Sequence, residues 1–158
     1  MKYKQTITVL VFFIALLAIA ATTMGIFTTD GTGLYQYQSI RGKTITIYGK
    51  GLYKDMSAEV APQGIAQDYI TLLAGVPLLI ISLFLARKGS LKGRYLLAGT
   101  LGYFLVTYLF YTVMGMYNKM FLTYVVLMGC SFYCFILLLF SFDTKNLDKS
   151  FRKSTPVK

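Results

Sequence analysis

TTDGTGLYQYQSIRGKTITIYGKGLYKDMSAEVAPQGIAQD, residues 28–68, is the only long polar stretch of this sequence, and its flanks decide the fold. Before it, Ile7–Phe27 runs for 21 residues without a charge. At about 1.5 Å per helical residue, that length crosses a hydrocarbon core of about 30 Å. After it come three further apolar runs, Tyr69–Ala86, Tyr95–Met114 and Met120–Phe142. They are separated by the short basic segment Arg87–Arg94 and by Gly115–Lys119, and a basic tail follows from Asp143 to Lys158. The expected fold is an integral membrane all-α bundle of four transmembrane helices. A small extracytoplasmic β-hairpin or meander lies between helices 1 and 2, and the whole of residues 1–158 forms a single membrane domain.

The polar island has β character in its first half. Leu34–Ile40 and Lys43–Tyr48 are rich in β-formers, and the second segment alternates, with Ile45 and Ile47 on one face and Thr44, Thr46 and Tyr48 on the other. Arg41-Gly42 suits a two-residue hairpin turn, with the glycine at positive φ. Gly49-Lys50-Gly51 makes the next turn and leads into Leu52-Tyr53-Lys54, for a meander of two or three strands. Met56–Ala61 is predicted as a short helix stopped by Pro62. Gln63-Gly64 then turns the chain toward the second apolar run.

Charge sets the orientation. Eleven basic residues lie in Lys2–Lys4, Arg87–Arg94 and the tail, against five in the island and the second hairpin; with the acids counted, the sides carry +9 and +1. Basic residues gather on the cytoplasmic side of membrane proteins. Both termini are therefore expected in the cytoplasm and residues 28–68 outside, in a multi-pass protein of the cell membrane. Ala18-Ile19-Ala20 imitates a signal-peptide cleavage site, but the apolar run is longer than a signal core, which favours a retained anchor. Ala18, Ala21, Thr22 and Gly25 share a helical face suited to close packing. Pro77, beside Gly75, is expected to break the second helix locally.

Absences exclude several chemistries. The formal charge of +10 lies in segments flanking apolar runs, so no nucleic-acid partner is expected. The sequence has no histidine, hence no imidazole base and no histidine metal ligand. Cys130 and Cys134 sit within an apolar run, where thiols are packing residues and react poorly. Gly42-Lys43-Thr44 resembles the end of a phosphate-binding loop, but the leading glycine position is Tyr37, so the pattern fails. No catalytic residue, cofactor or metal is expected. No charged side chain lies inside an apolar run, which argues against an ion-coupled carrier.

Two groups of residues remain as candidates. Asp68, at the start of the second apolar run, is expected to cap a helix N-terminus, or else to hold a cation or pair with Arg41 or Lys119. Tyr103, Thr107 and Tyr111 recur at i, i+4 and i+8 on the third helix. Their hydroxyls would make interhelical hydrogen bonds or line a polar cavity. In the island, Tyr35, Tyr37, Tyr48 and Tyr53 are candidate contact residues, with Arg41 at the turn.

The layout resembles the claudin and PMP22-type four-helix proteins, with cytoplasmic termini, a long β-bearing first outer loop and a short second one. Gly51-Leu52-Tyr53 stands where that family has Gly-Leu-Trp, with tyrosine in place of tryptophan. The resemblance implies a loop-anchoring role for Gly51, Leu52 and Tyr53. The sequence has no tryptophan, and the loop lacks the family's two cysteines.

Three functions compete on these grounds. The first is a non-enzymatic protein of the lipid bilayer whose outer loop contacts a membrane or extracellular protein, or another copy of itself. The second is a small pore, permease or lipid-handling protein using the space near Tyr103, Thr107 and Tyr111. The third is a membrane enzyme subunit using Asp68, Glu59 and Arg41 at the outer surface.

Overall fold

Long uninterrupted apolar runs with few β-branched clusters and no internal charge favour helix, because the backbone can satisfy its own hydrogen bonds. The computed structural model, which describes residues 3–115 and 117–142, has four such helices. They are α1 (Lys4–Phe27), α2 (Ala61–Arg87), α3 (Leu91–Val113) and α4 (Phe121–Leu139), each long and apolar enough to cross a membrane. The tail predicted from Asp143 lies outside the described residues.

The helices form a ring in chain order, with α4 closing back onto α1. Ile7, Val11, Ile14 and Ala18 of α1 meet Leu79 and Leu83 of α2, Leu97, Leu101 and Phe104 of α3, and Leu127, Cys134 and Leu138 of α4 in one core. The small-residue face of α1 is buried as expected, including Ala18, Ala21, Thr22 and Gly25. Apolar side chains also cover the outward faces, among them Val9, Leu16, Leu73 and Leu122. A helix that is apolar all round is typical of a membrane span or a deep core.

The connections follow local chemistry. At the end of α2, Gly89 takes φ +88° and Ser90 Oγ accepts from Gly93 N at 3.2 Å, so the basic turn ends one helix and caps the next. Gly93 has no room for a side chain, since an added Cβ would lie 2.6 Å from the Leu85 carbonyl carbon. Near Pro77 the break takes the form of a π-turn over Thr71–Gly75. Proline lacks the N–H that a regular turn needs, and the wider turn absorbs that gap.

Residues 28–60 fold over the end of the bundle formed by the C-terminus of α1, the start of α2 and the α3–α4 connection. Two strands, β1 (Tyr35–Gln38) and β2 (Thr44–Ile47), pair antiparallel with Tyr35 opposite Ile47 and Gln38 opposite Thr44. The Ser39 N–H donates to the Lys43 carbonyl at 2.9 Å, so the turn is Ile40-Arg41-Gly42, three residues where two were expected. Gly42 has φ +76° with open space around it. This is the geometry of a hairpin whose third loop residue is left-handed. Gly42→Ala should therefore cost about 1–2 kcal/mol from backbone conformation alone. Faster amide exchange along β1 and β2, with helix exchange unchanged, is the expected readout.

Three further expectations are corrected. Leu52-Tyr53-Lys54 is no third strand: Gly51–Tyr53 is a 3₁₀ turn, and Ser57 makes only an isolated bridge to Ile47. Leu52 and Tyr53 turn inward to fill the bundle end, which a strand could not do with adjacent residues. Met56–Ala61 is not a helix either. Instead α2 starts at Ala61, with Pro62, Gln63 and Gly64 already inside it. Proline is tolerated in a first helical turn, where its missing N–H would have had no partner in any case.

Candidate functional site

The early start of α2 changes the position of Asp68. It lies within the helix, not at its N-terminus, and is 5% exposed. Its partners are tyrosine hydroxyls, neither Arg41 nor Lys119. Tyr53 Oη donates to Asp68 Oδ2 at 2.5 Å, and Tyr111 Oη lies 3.1 Å from Oδ1 and 3.0 Å from the Gly64 carbonyl. The two hydroxyls are 3.2 Å apart. Burial, with Tyr111 and Asp68 beside it, pushes the Tyr53 hydroxyl well above its ordinary range, so it remains a donor.

Gly25 makes this cluster compact. An added Cβ there would stand 1.8 Å from Asp68 Oδ2, so the carboxyl group occupies the space of the absent side chain. Gly64 has a similar place on α2, where an added Cβ would lie 3.1 Å from the Tyr53 ring. The small-residue pattern of α1 marked a close approach at Gly25. What approaches is a carboxyl group, and sequence spacing carries no sign of that.

Tyr53 reaches Asp68 because the preceding segment is fastened to α1. Thr28 Oγ1 donates to the Met24 carbonyl at 2.6 Å and accepts from Leu52 N at 2.8 Å. Gly51 N donates to the Asp30 carbonyl at 2.7 Å. Gly51 has φ +58°, and an added Cβ would fall 2.0 Å from the Thr28 carbonyl oxygen. Gly51-Leu52-Tyr53 is thus the buried base of the loop, packed with Ala61, Met24, Tyr48 and Met56.

The tyrosine column of α3 faces α2. Tyr103 Oη lies 2.7 Å from Thr71 Oγ1 and accepts from Gln67 Nε2 at 2.7 Å, while Tyr111 reaches Asp68 and Gly64. Thr107 is buried between them on the same helix. These bonds join α2 to α3. Gln67 is the partner that sequence analysis missed, because it was assigned to a loop.

The candidate contact tyrosines divide into two sets. Tyr35 and Tyr37 are exposed on β1, and Arg41 and the wholly exposed Ile40 stand in the hairpin turn. Tyr48 is half-buried and Tyr53 is 2% exposed, so Tyr53 cannot be a surface contact. The three residues of the enzyme reading do not meet. Arg41 is in the exposed turn, Glu59 is exposed ahead of α2, and Asp68 is buried. Cys134 is buried and Cys130 partly so, both as free thiols.

Between the first half of α2 and the end of α3 lies a groove of about 370 Å³. Met56, Val60, Phe110 and Met114 form its apolar walls, and the rings of Tyr53 and Tyr111 line it in front of Asp68. Compared with protein-family models, curated proteins and solved structures, the chain matches none.

Proposed function

We propose that the protein is a multi-pass membrane protein, termini inside, that holds its outer hairpin on a rigid base as a binding element for a second protein. Four helices of spanning length and the strong charge asymmetry of their ends support the membrane placement. The single observation that carries the binding role is the contrast within residues 28–60. The base of the loop is buried at Leu52 and Tyr53, while every residue of β1 is exposed. β2 pairs with β1 on one side and bridges to Ser57 on the other, so β1 is the edge strand. An edge of this kind accepts an added strand through its backbone, with alternate side chains read by the partner. Tyr35 and Tyr37 are two residues apart along β1 and point to the same face. The layout likeness to claudin and PMP22-type proteins belongs to this reading, with Gly51-Leu52-Tyr53 as the anchored base.

The test is a variant with Tyr35, Tyr37 and Ile40 all changed to serine. These side chains are at least 44% exposed, so the bundle should keep its stability to within about 0.5 kcal/mol per site. Cross-linking on intact cells should lose the outer partners captured by the native protein. An unchanged set of cross-linked partners, at equal protein level, would count against the hairpin as the binding element.

A further inference from the structure

A second groove between α2 and α3, of about 340 Å³, lies nearer their basic turn. Ile70, Ala74 and Leu78 form one wall, Tyr95, Leu96 and Tyr103 the other, and Gly99 lies between them. A Cβ added at Gly99 would meet nothing within 4 Å, so the trough is open at that point. The Tyr103 ring closes its far end, fixed by the bonds of its hydroxyl to Thr71 and Gln67. Tyr95 to Tyr103 is about 12 Å of helix, against about 15 Å for half of a hydrocarbon core. The groove is therefore close to one leaflet deep.

Its near end meets charge of one sign. Residues 85–96 include Arg87, Lys88, Lys92 and Arg94 and no acid. Helical spacing sorts these four. On α3, Lys92, Leu96, Gly99 and Tyr103 follow one another at four, three and four residues, so Lys92 continues the groove face. On the α2 side, Leu78, Ile81, Leu85 and Lys88 follow at three, four and three residues, and all are exposed. Arg87 is turned away, donating from Nη1 to Thr8 Oγ1 of α1 at 2.9 Å. Arg94, two residues beyond Lys92, falls on the opposite side of α3. Two exposed lysines, one from each wall, therefore stand where the apolar trough ends. Lysine stems lie along apolar surface and carry the ammonium to headgroup level. An apolar trough of leaflet depth that ends in paired cations complements an apolar chain with an anionic head.

We infer that this groove binds an anionic phospholipid of the leaflet at the basic end: one acyl chain lies over Gly99, and the phosphate sits between Lys88 and Lys92. Two basic side chains near a membrane surface give about a thirtyfold preference for an anionic over a neutral head. Such a site rests on the membrane placement of the four helices, and not on what binds the outer hairpin.

Native mass spectrometry of the full chain, released from a neutral detergent, tests this with lipids of matched chains. Dimyristoylphosphatidylglycerol should add one saturable molecule per chain, and dimyristoylphosphatidylcholine should bind at least about tenfold more weakly. Glycerol phosphate, a head without a chain, should show no saturable binding. Lys88→Gln with Lys92→Gln should bring phosphatidylglycerol down to the phosphatidylcholine level. Lys43→Gln with Lys50→Gln, the same loss of charge at the hairpin, should leave its binding unchanged. Gly99→Phe fills the open trough and should weaken phosphatidylglycerol by about tenfold or more at an unchanged melting temperature. Equal binding of the two lipids, equal effects of the two lysine pairs, or full binding in a folded Gly99→Phe protein would overturn the inference. If Gly99→Phe does not fold, the head-group comparison and the exposed lysine pairs decide between the same outcomes. Flotation with phosphatidylcholine vesicles tests the membrane placement separately. A chain that does not float overturns the placement and this site together; one that floats without preferring phosphatidylglycerol overturns the site alone.

Discussion

Replacing Gly25 with alanine is expected to destabilise the protein by about 2–4 kcal/mol, although the change adds a single methyl group. The methyl would sit 1.8 Å from Asp68 Oδ2, far inside van der Waals contact. The carboxyl group cannot simply swing aside, because the hydroxyls of Tyr53 and Tyr111 hold both its oxygens. Moving it leaves those groups unsatisfied in a buried site, which adds to the overpacking cost. Thermal unfolding in detergent micelles measures the effect. Asp68→Ala removes the atoms that clash, so in that background Gly25→Ala should cost far less, and the two changes should be strongly non-additive. Additive losses would mean that Gly25 and Asp68 do not share this space.

Tyr53→Ala should cost about 3–5 kcal/mol, comparable with other large aromatic truncations in a core. Tyr53→Phe separates the contributions. It retains the ring over Gly64 and removes the hydroxyl's bonds to Asp68 and Tyr111, at about 1–3 kcal/mol for buried polar groups left unsatisfied. The two variants should also differ in how they treat the hairpin. With the ring gone, the loop loses its packing against Ala61 and Met24 and keeps mainly the Thr28 bonds. Trypsin should then cut after Arg41, Lys43 or Lys50 faster in Tyr53→Ala than in the native protein, with Tyr53→Phe in between. Equal cleavage rates in all three would place the anchor of the loop elsewhere.

Both predictions concern atoms that meet across the bundle end, and this is where sequence reading stopped. The four helices were legible because apolar runs of about 20 residues leave the backbone few alternatives. The hairpin was legible from the alternation in Lys43–Tyr48 and from the turn glycine at position 42. The start of α2 was not, because Pro62 reads as a stop when only the preceding residues are considered, yet it fits the first turn of a helix equally well. That one boundary moved Asp68 from a helix cap to a buried acid and brought Gln63, Gly64 and Gln67 onto the helix. The 3₁₀ turn was hidden for a related reason. Leu52-Tyr53 continues a β-rich segment, and only the cavity at the end of the bundle draws both side chains inward.

From the sequence alone came the number of helices, the polar island between the first two, the small-residue face of α1 and the absence of histidine chemistry. These are local properties, set by hydropathy, spacing and composition. The tertiary structure decided which residues of the polar island Thr28–Asp68 are displayed and which are buried. It placed Tyr53 against Asp68, Asp68 against Gly25, and the α3 tyrosines against α2. Those meetings depend on how four helices and a loop close on one another, and no periodicity along a single segment encodes them.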